Sequence, residues 1–234
     1  MSDFKYVGSE LDLFANVTNW KSYWSDQIRP YMRGDVMEVG AGLGANTEFL
    51  RVSGEGRSVC VEPDPNLARQ LEERLSAVRS NRRYVAVCGT TQTISDHFDT
   101  IVYIDVLEHI EDDRGEMSRA AALLKPGGRL IVLSPAHQFL FTPFDASIGH
   151  FRRYNKRMLR EITPQNLKIE RLWYVDAVGM TASLGNRLLL QQSMPTAPQL
   201  KLWDTRMIPV SRLLDPLIFH SVGKTVIGVW SKRA

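Results

Sequence analysis

A short apolar run at residues 36–39 passes directly into Gly40-Ala41-Gly42-Leu43-Gly44-Ala45-Asn46-Thr47, and this junction constrains the fold more than any other stretch of the chain. Three glycines within five positions let the backbone turn where other residues cannot, and they let a ligand come close to the main chain. A helix is expected next, over 46–51, with its free amide groups facing the turn. A strand, a glycine turn and a helix in that order open a parallel α/β sheet. The spacing also fits Gly-x-Gly-x-x-Gly/Ala if Ala45 takes the last place, which leaves the kind of nucleotide or nucleoside ligand open.

The same rhythm continues. β-rich runs are expected at 36–39, 58–61, 84–87, 100–104, 129–133, 168–175 and 225–230, with helical patterns at 46–51, 66–76, 113–124 and 156–161. Alternation of this kind predicts an α/β, Rossmann-like, seven-stranded and mostly parallel sheet with helices on both faces. Ahead of it, residues 10–32 carry Phe14, Val17, Trp24, Ile28 and Tyr31 at helical spacing, which predicts an N-terminal helix. Its Trp20, Tyr23 and Trp24 read as packing more than as a lid. The 179–223 stretch breaks the alternation, with two helical pieces punctuated by Pro195, Pro198, Pro209 and Pro216. It reads as a helical insertion before the last strand. With 234 residues, the chain is expected to be one domain: an N-terminal helical cap (1–32), a ligand-binding core (33–178), the insertion (179–223) and the last strand (224–234).

Composition excludes several functions. A net charge of +3 on a chain with 24% charged residues gives no case for a nucleic-acid partner. The only cysteines, Cys60 and Cys88, sit in apolar runs and are expected as reduced core thiols of a cytoplasmic protein. The first ten residues lack a secretory pattern, and no apolar run approaches the roughly 18 residues of a membrane span. Zinc-spaced Cys or His pairs, a Walker lysine loop and a serine elbow are all missing, which counts against metal hydrolysis, P-loop chemistry and α/β-hydrolase chemistry in turn, and no metal is expected.

Glu62 ends the second expected strand roughly 20 residues after the glycines, where a carboxylate can accept both hydroxyls of a ribose. Asp64 beside it suits the cap of the helix starting near Asn66. Two further segments narrow the choice of ligand: Phe98-Asp99-Thr100-Ile101-Val102-Tyr103-Ile104-Asp105-Val106-Leu107-Glu108-His109-Ile110, and Leu123-Leu124-Lys125-Pro126-Gly127-Gly128-Arg129-Leu130-Ile131-Val132. With Glu38-Val39-Gly40-Ala41-Gly42-Leu43-Gly44 and Glu62, they make residues 33–175 resemble the class I S-adenosylmethionine-dependent methyltransferases, especially the group containing the ubiquinone-biosynthesis O-methyltransferases. The resemblance implies S-adenosyl-L-methionine as cofactor and S-adenosyl-L-homocysteine as product. It implies that Gly40, Ala41, Gly42, Gly44, Asn46, Glu62 and Pro63 hold the methionine and ribose parts, that Glu38 holds the ammonium, and that Asp105, Val106, Leu107 and His109 line the methionyl side. The family often has an Asp after strand three against adenine. Here Cys88-Gly89-Thr90-Thr91 stands there, with Thr90 the candidate contact.

The acceptor is expected in the long loop after the fifth strand, which carries Ser134-Pro135-Ala136-His137, Thr142-Pro143-Phe144-Asp145 and Gly149-His150-Phe151-Arg152-Arg153-Tyr154. An imidazole exchanges a proton near neutral pH, so His150 leads as general base, with His109 and Tyr154 as further catalytic candidates and His137 as packing. Arg152, Arg153, Lys156, Arg157 and Arg160 read mainly as a solvated basic face; the functional alternative has Arg152 or Arg153 grip the acceptor. The apolar insertion, from Met180 through Leu184, Leu188, Leu189, Leu190, Leu200, Leu202, Trp203 and Met207 to Leu217 and Phe219, interrupted by Arg187, Arg206 and Arg212, suggests a small, mostly apolar or aromatic acceptor. A monomer or homodimer is expected, and the same apolar residues would serve a membrane surface. The alternatives are an NAD(P)-dependent oxidoreductase and a non-catalytic S-adenosylmethionine-binding subunit of a methyltransferase complex.

Overall fold

The computed structural model describes residues 14, 16–50, 52, 56–78, 82–185 and 196–233. Strand β1 (Val36–Val39) is apolar on both faces apart from Glu38 and is wholly buried, as a central parallel strand must be. It pairs in parallel with β2 (Arg57–Glu62) and β4 (Phe98–Ile104). β3 (Arg83–Cys88) extends one edge, and β5 (Leu124–Pro135), β7 (Thr225–Lys232) and β6 (Leu167–Val175) extend the other. The strand order is β3-β2-β1-β4-β5-β7-β6, with β7 antiparallel to both neighbours. All seven expected strands are present. An all-parallel dinucleotide sheet would have the order 3-2-1-4-5-6; the antiparallel β7 wedged between β5 and β6 is a different topology.

Alternate residues of each strand face opposite helix layers. Met37, Val39, Ile101, Tyr103, Leu130 and Val132 pack with Met117 and Ala121 of α3 (Asp113–Leu123) and Leu159 of α5 (Lys156–Glu161). On the other face, Val36, Val102, Ile104, Ile131, Leu133, Ile227 and Val229 meet Trp20, Trp24 and Ile28 of α1 (Thr18–Ile28), together with Leu200, Trp203 and Ile208 of the insertion. Helix α2 (Pro65–Ser76) covers β2 and the edge strand β3, its Leu71 and Leu75 packing on Cys60, Tyr84 and Ala86, and Asp64 caps it by accepting from the Asn66 and Leu67 amides at 2.8 and 3.2 Å. A short α4 (Pro143–Ser147) lies in the loop after β5.

The N-terminal helix and the insertion dock through buried carboxylates. Asp204 accepts from the Trp20 amide at 2.8 Å and the Asn19 amide at 3.3 Å, capping α1 from across the chain. Asp215 accepts from the Tyr23 hydroxyl at 2.6 Å and from the Asp176 and Ala177 amides at 2.6 and 3.0 Å. Among the described residues, the insertion holds α6 (Ala177–Gly185), which starts just ahead of it, α7 (Ala197–Leu202), a π turn (Trp203–Met207) and α8 (Ile208–Leu217). Pro198 sits in the first turn of α7, where a missing N–H costs nothing, and Pro209 follows directly on the π turn. Arg187, Leu188, Leu189, Leu190 and Pro195 lie outside the described residues.

Three expectations change. Among the described residues no α-helix follows the glycine turn: Thr47–Phe49 forms one 3-10 turn, and the Thr47 hydroxyl donates to Glu38 at 2.5 Å. Cys60 is buried but Cys88 is exposed at the end of β3, and both are free thiols. The apolar stripe of α8 does not face inward: Leu213 and Leu217 are 75% exposed, and Phe219 just beyond is 90% exposed. Among the described residues, no helix is long and apolar enough to cross a membrane.

Candidate functional site

The parallel strands β1, β2 and β4 all end on one side of the sheet, and beyond those ends lies a cavity of about 1190 Å³. That exceeds the roughly 300–1,000 Å³ of a single small-molecule pocket and leaves room for two ligands. At one end the glycine turn is pinned to β2: the Gly40 and Ala41 amides both donate to the Val61 carbonyl, at 2.8 and 3.0 Å. Gly40 has φ +67° and Gly42 φ +54°. A Cβ on Gly40 would lie 2.6 Å from Val106 Cγ2, so the turn and the end of β4 touch only because the side chain is missing.

Glu62 accepts from the Gly42 amide at 2.8 Å and from the Asp64 amide at 2.9 Å while lining the cavity. The carboxylate thus fixes the turn and keeps lone pairs for a ligand. Burial pushes its carboxyl above the ordinary value, against the pull of those two amides. Gly40, Ala41, Gly42, Asn46, Pro63, Thr90, Asp105, Val106 and His109 line the same cavity. Asp105 takes a left-handed φ of +54° at the end of β4, which turns its carboxylate into the opening. Enclosure by protein raises that carboxyl to about 6, against the opposing fields of His150, Lys224 and Arg153.

Three expected cofactor residues do not reach the cavity. Glu38 is buried, bonded to the Thr47 hydroxyl and 3.7 Å from Cys60 Sγ; burial raises its carboxyl to about 7, with those contacts opposing. A Cβ on Gly44 would lie 2.8 Å from Leu71, so this glycine lets the turn pack on α2. Leu107 is fully buried in the core.

At the far end, the loop after β5 folds back on itself: the Tyr154 amide donates to the Pro135 carbonyl at 2.9 Å and the His137 amide to the Tyr154 carbonyl at 2.7 Å. Inside this closed loop, Asp145 is 1% exposed and accepts from His150 Nδ1, Thr142 N and Oγ1, and Arg153 Nε and Nη2, all at 2.8–2.9 Å. Burial alone would raise its carboxyl, but the donors from His150 and Arg153 prevail and hold it well below the usual carboxylate range. With Nδ1 so engaged, His150 Nε2 looks toward Glu108, whose Oε1 is 3.9 Å away. Glu108 is fully buried; its Oε2 accepts from Ser134 Oγ at 2.9 Å, and burial pushes its carboxyl well up. The His109 ring meets the His150 ring edge-on at 4.5 Å, and burial lowers its pKa to about 4.

Other expected residues fall elsewhere. Tyr154 is fully buried, and its hydroxyl donates to Asp113 Oδ2 at 2.8 Å; it clasps the loop and does not line the cavity. Arg152 pairs with Asp113 at 2.6 Å and Arg153 with Asp145, so both guanidiniums are spent on internal carboxylates and form no solvated face. Lys156 stacks over Tyr174 at 4.5 Å, while Arg157 lies in solvent beside Glu161. His137 packs between Phe139 and Tyr174. Trp20 and Trp24 pack in the core and also wall the cavity, with Leu200, Trp203 and Met207 of the insertion.

Sequence reasoning gave no role to Asp145 or Lys224, and Glu108 only a place within the 105–109 segment beside the cofactor. Asp145 precedes His150 by five residues in a loop, too irregular for any periodicity to join them. Lys224, at the entry to β7, lines the cavity with its ammonium over the Trp203 ring at 3.6 Å and 3.6 Å from Asp176; only the topology brings it near Asp105.

Residues 37–130 match a family model described as a methyltransferase domain. A ubiquinone biosynthesis O-methyltransferase of Xanthomonas axonopodis pv. citri is 27% identical over 53% of this chain and 59% of its own length. The chain spans about half the length of the curated relatives it matches. In structure, it is similar to a chain of the complex between the Haloferax volcanii Trm112 methyltransferase activator and a methyltransferase, with TM-score 0.62, 16% identity, and coverage of 97% of this chain and 98% of that one. It is also similar to an S-adenosylmethionine-dependent methyltransferase from Clostridium acetobutylicum, with TM-score 0.58, 10% identity and 96% of both chains covered.

Proposed function

We propose that this chain, which belongs to the class I S-adenosylmethionine-dependent methyltransferases, moves a methyl group to an oxygen or nitrogen of a small, mostly apolar or aromatic acceptor. The observation that carries this reading is one continuous cavity holding the glycine turn and Glu62 at one end and the His109, His150 and Glu108 cluster at the other. S-adenosylmethionine, when bound, supplies a methyl group on a sulfonium, which needs no further activation. The residues present fit that cofactor: Glu62 faces the cavity to accept ribose hydroxyls, Gly40, Ala41 and Gly42 line it with backbone that no long side chain covers, and Asp105 offers a negative charge toward the methionyl ammonium.

The protein's own work is to position the acceptor and to exclude water. Trp20, Trp24, Trp203, Leu200 and Met207 supply an apolar wall suited to a flat or aliphatic molecule. His150, oriented through Nδ1 by Asp145, presents Nε2 to the acceptor's hydroxyl or amine and takes its proton. Arg153 keeps Asp145 ionised, so the imidazole holds one tautomer.

The test is transfer of a labelled methyl group by the isolated chain to a panel of phenols and heteroaromatic amines. Turnover on a hydroxyl or amine acceptor is the expected result; stabilisation by a nicotinamide dinucleotide but not by S-adenosylhomocysteine would overturn the reading. A second reading, a subunit that binds the cofactor and acts with a partner, draws on the structural neighbour solved with an activator. Turnover by the chain alone excludes it.

A further inference from the structure

Glu108, His109 and His150 each offer one ligand atom, and these atoms lie within 4.8 Å of one another at the cavity wall. The Glu108 Oε1 atom is fully buried and has no hydrogen-bond partner. At 3.9 Å from His150 Nε2 it is too far for a direct hydrogen bond. An orphaned buried carboxylate oxygen costs free energy unless something occupies the space in front of it. We propose that this space is a binding site for one divalent first-row transition-metal ion, held by two imidazoles and one carboxylate.

Each ligand is already held from behind. Asp145 bonds His150 Nδ1 and leaves Nε2 free; Ser134 holds the other oxygen of Glu108; the backbone at Ile148 and Gly149 anchors the His109 ring. Carboxylate or backbone support behind a ligand is how metal sites fix ring orientation and tautomer. Two nitrogens and one oxygen suit Zn²⁺, Co²⁺ or Fe²⁺ over Ca²⁺ or Mg²⁺, which prefer oxygen cages. With three protein ligands, the remaining positions face the cavity and would take an oxygen donor such as the acceptor's hydroxyl. The inference rests on the reading of this cavity as the acceptor site, and it changes one role there: with an ion bound, His150 is a ligand, and a hydroxyl acidified by the ion would give its proton to water at the cavity mouth. A water bridging Glu108 and His150 is the competing occupant.

The test uses the full chain stripped with a chelator and titrated with CoCl₂ and ZnCl₂, read by calorimetry and by the visible absorption of bound Co²⁺. One ion per chain is expected. Glu108→Gln and His109→Ala should each weaken Co²⁺ binding by at least 10- to 100-fold, and Asp145→Asn by about 10- to 100-fold. Circular dichroism and a thermal melt on the same samples report that each variant is folded, and S-adenosylhomocysteine binding is measured on the wild-type chain. Failure of the wild-type chain to bind Co²⁺ stoichiometrically, or unchanged affinity in folded Glu108→Gln and His109→Ala, overturns the metal site and leaves the water. Co²⁺ binding without S-adenosylhomocysteine binding would instead overturn the functional reading and leave the metal site standing.

Discussion

Replacing Glu62 by Ala should damage both the fold and the cofactor site, by amounts that can be separated. The carboxylate accepts two backbone amides, from Gly42 at 2.8 Å and Asp64 at 2.9 Å, and it is 4% exposed. Hydrogen bonds to a charged group contribute about 1.5–3 kcal/mol each. Burial of that charge offsets part of the gain, and water can enter from the cavity to solvate the freed amides. A net loss of stability of about 1–3 kcal/mol is therefore expected, which for a chain of this size lowers Tm by roughly 2–12 °C. Binding loses the ribose contact as well, again about 1.5–3 kcal/mol, or roughly 10- to 150-fold in Kd at 1.4 kcal/mol per factor of ten. Glu62→Gln keeps one acceptor oxygen but sets an amide donor against a backbone N–H, so it should fall between wild type and Ala in stability. Calorimetry with S-adenosylhomocysteine on thermally characterised variants gives both numbers. A folded Glu62→Ala protein that binds S-adenosylhomocysteine with unchanged affinity would refute the placement of the ribose, whatever its Tm.

Other perturbations probe separate parts of the argument. Gly40→Ala forces an L residue to φ +67° and sets a Cβ 2.6 Å from Val106; a cost of about 2 kcal/mol or more and loss of cofactor-induced stabilisation are expected in a thermal melt. His150→Ala, assayed after chelator treatment, should lower turnover on a hydroxyl acceptor by about 10²- to 10⁴-fold, less for acceptors already ionised, with cofactor affinity barely moved; near-normal turnover would leave positioning as the mechanism. Tyr154→Phe removes the bond to Asp113 and should cost about 1–2 kcal/mol of stability while turnover per folded molecule stays within a few-fold; a larger drop would return Tyr154 to the chemistry. Glu38 has its carboxyl raised from 4.5 to about 7 by burial, so the folded state holds a proton that the unfolded chain releases. Its contribution is full below pH 4.5 and is lost as pH rises through 7, about 3 kcal/mol at most. Glu38→Gln should therefore gain stability over wild type at pH 8 and little at pH 4, in denaturant titrations at the two pH values.

The seven strands, the glycine turn and the Glu62 carboxylate were legible in the sequence because each depends on residues near one another in the chain. Apolar runs of strand length, glycines where the chain must turn, and an acid at a strand end all carry their signal locally. The 3-10 turn at Thr47–Phe49, where a helix was expected, marks a limit of that reasoning: so short a stretch carries only a weak local preference, and Thr47 is tied to Glu38 across the turn. The acceptor end depended almost wholly on the fold. Nothing in the spacing of Asp145, His150 and Arg153 says that the arginine is bound to the aspartate and that the aspartate orients the histidine. Nor does it place Glu108 opposite His150, which needs β4 and the loop after β5 to meet. Tyr154 looked catalytic beside His150 and is a core clasp, since burial is a property of the packed chain and not of the neighbouring letters. The face of the insertion was decided in the same way: Asp204 and Asp215 tie it to α1 and strand ends across the molecule, which turns Trp203 inward and leaves Leu213 and Leu217 in solvent. Local periodicity specifies which elements form, whereas buried charges find partners only after the sheet has brought distant segments together.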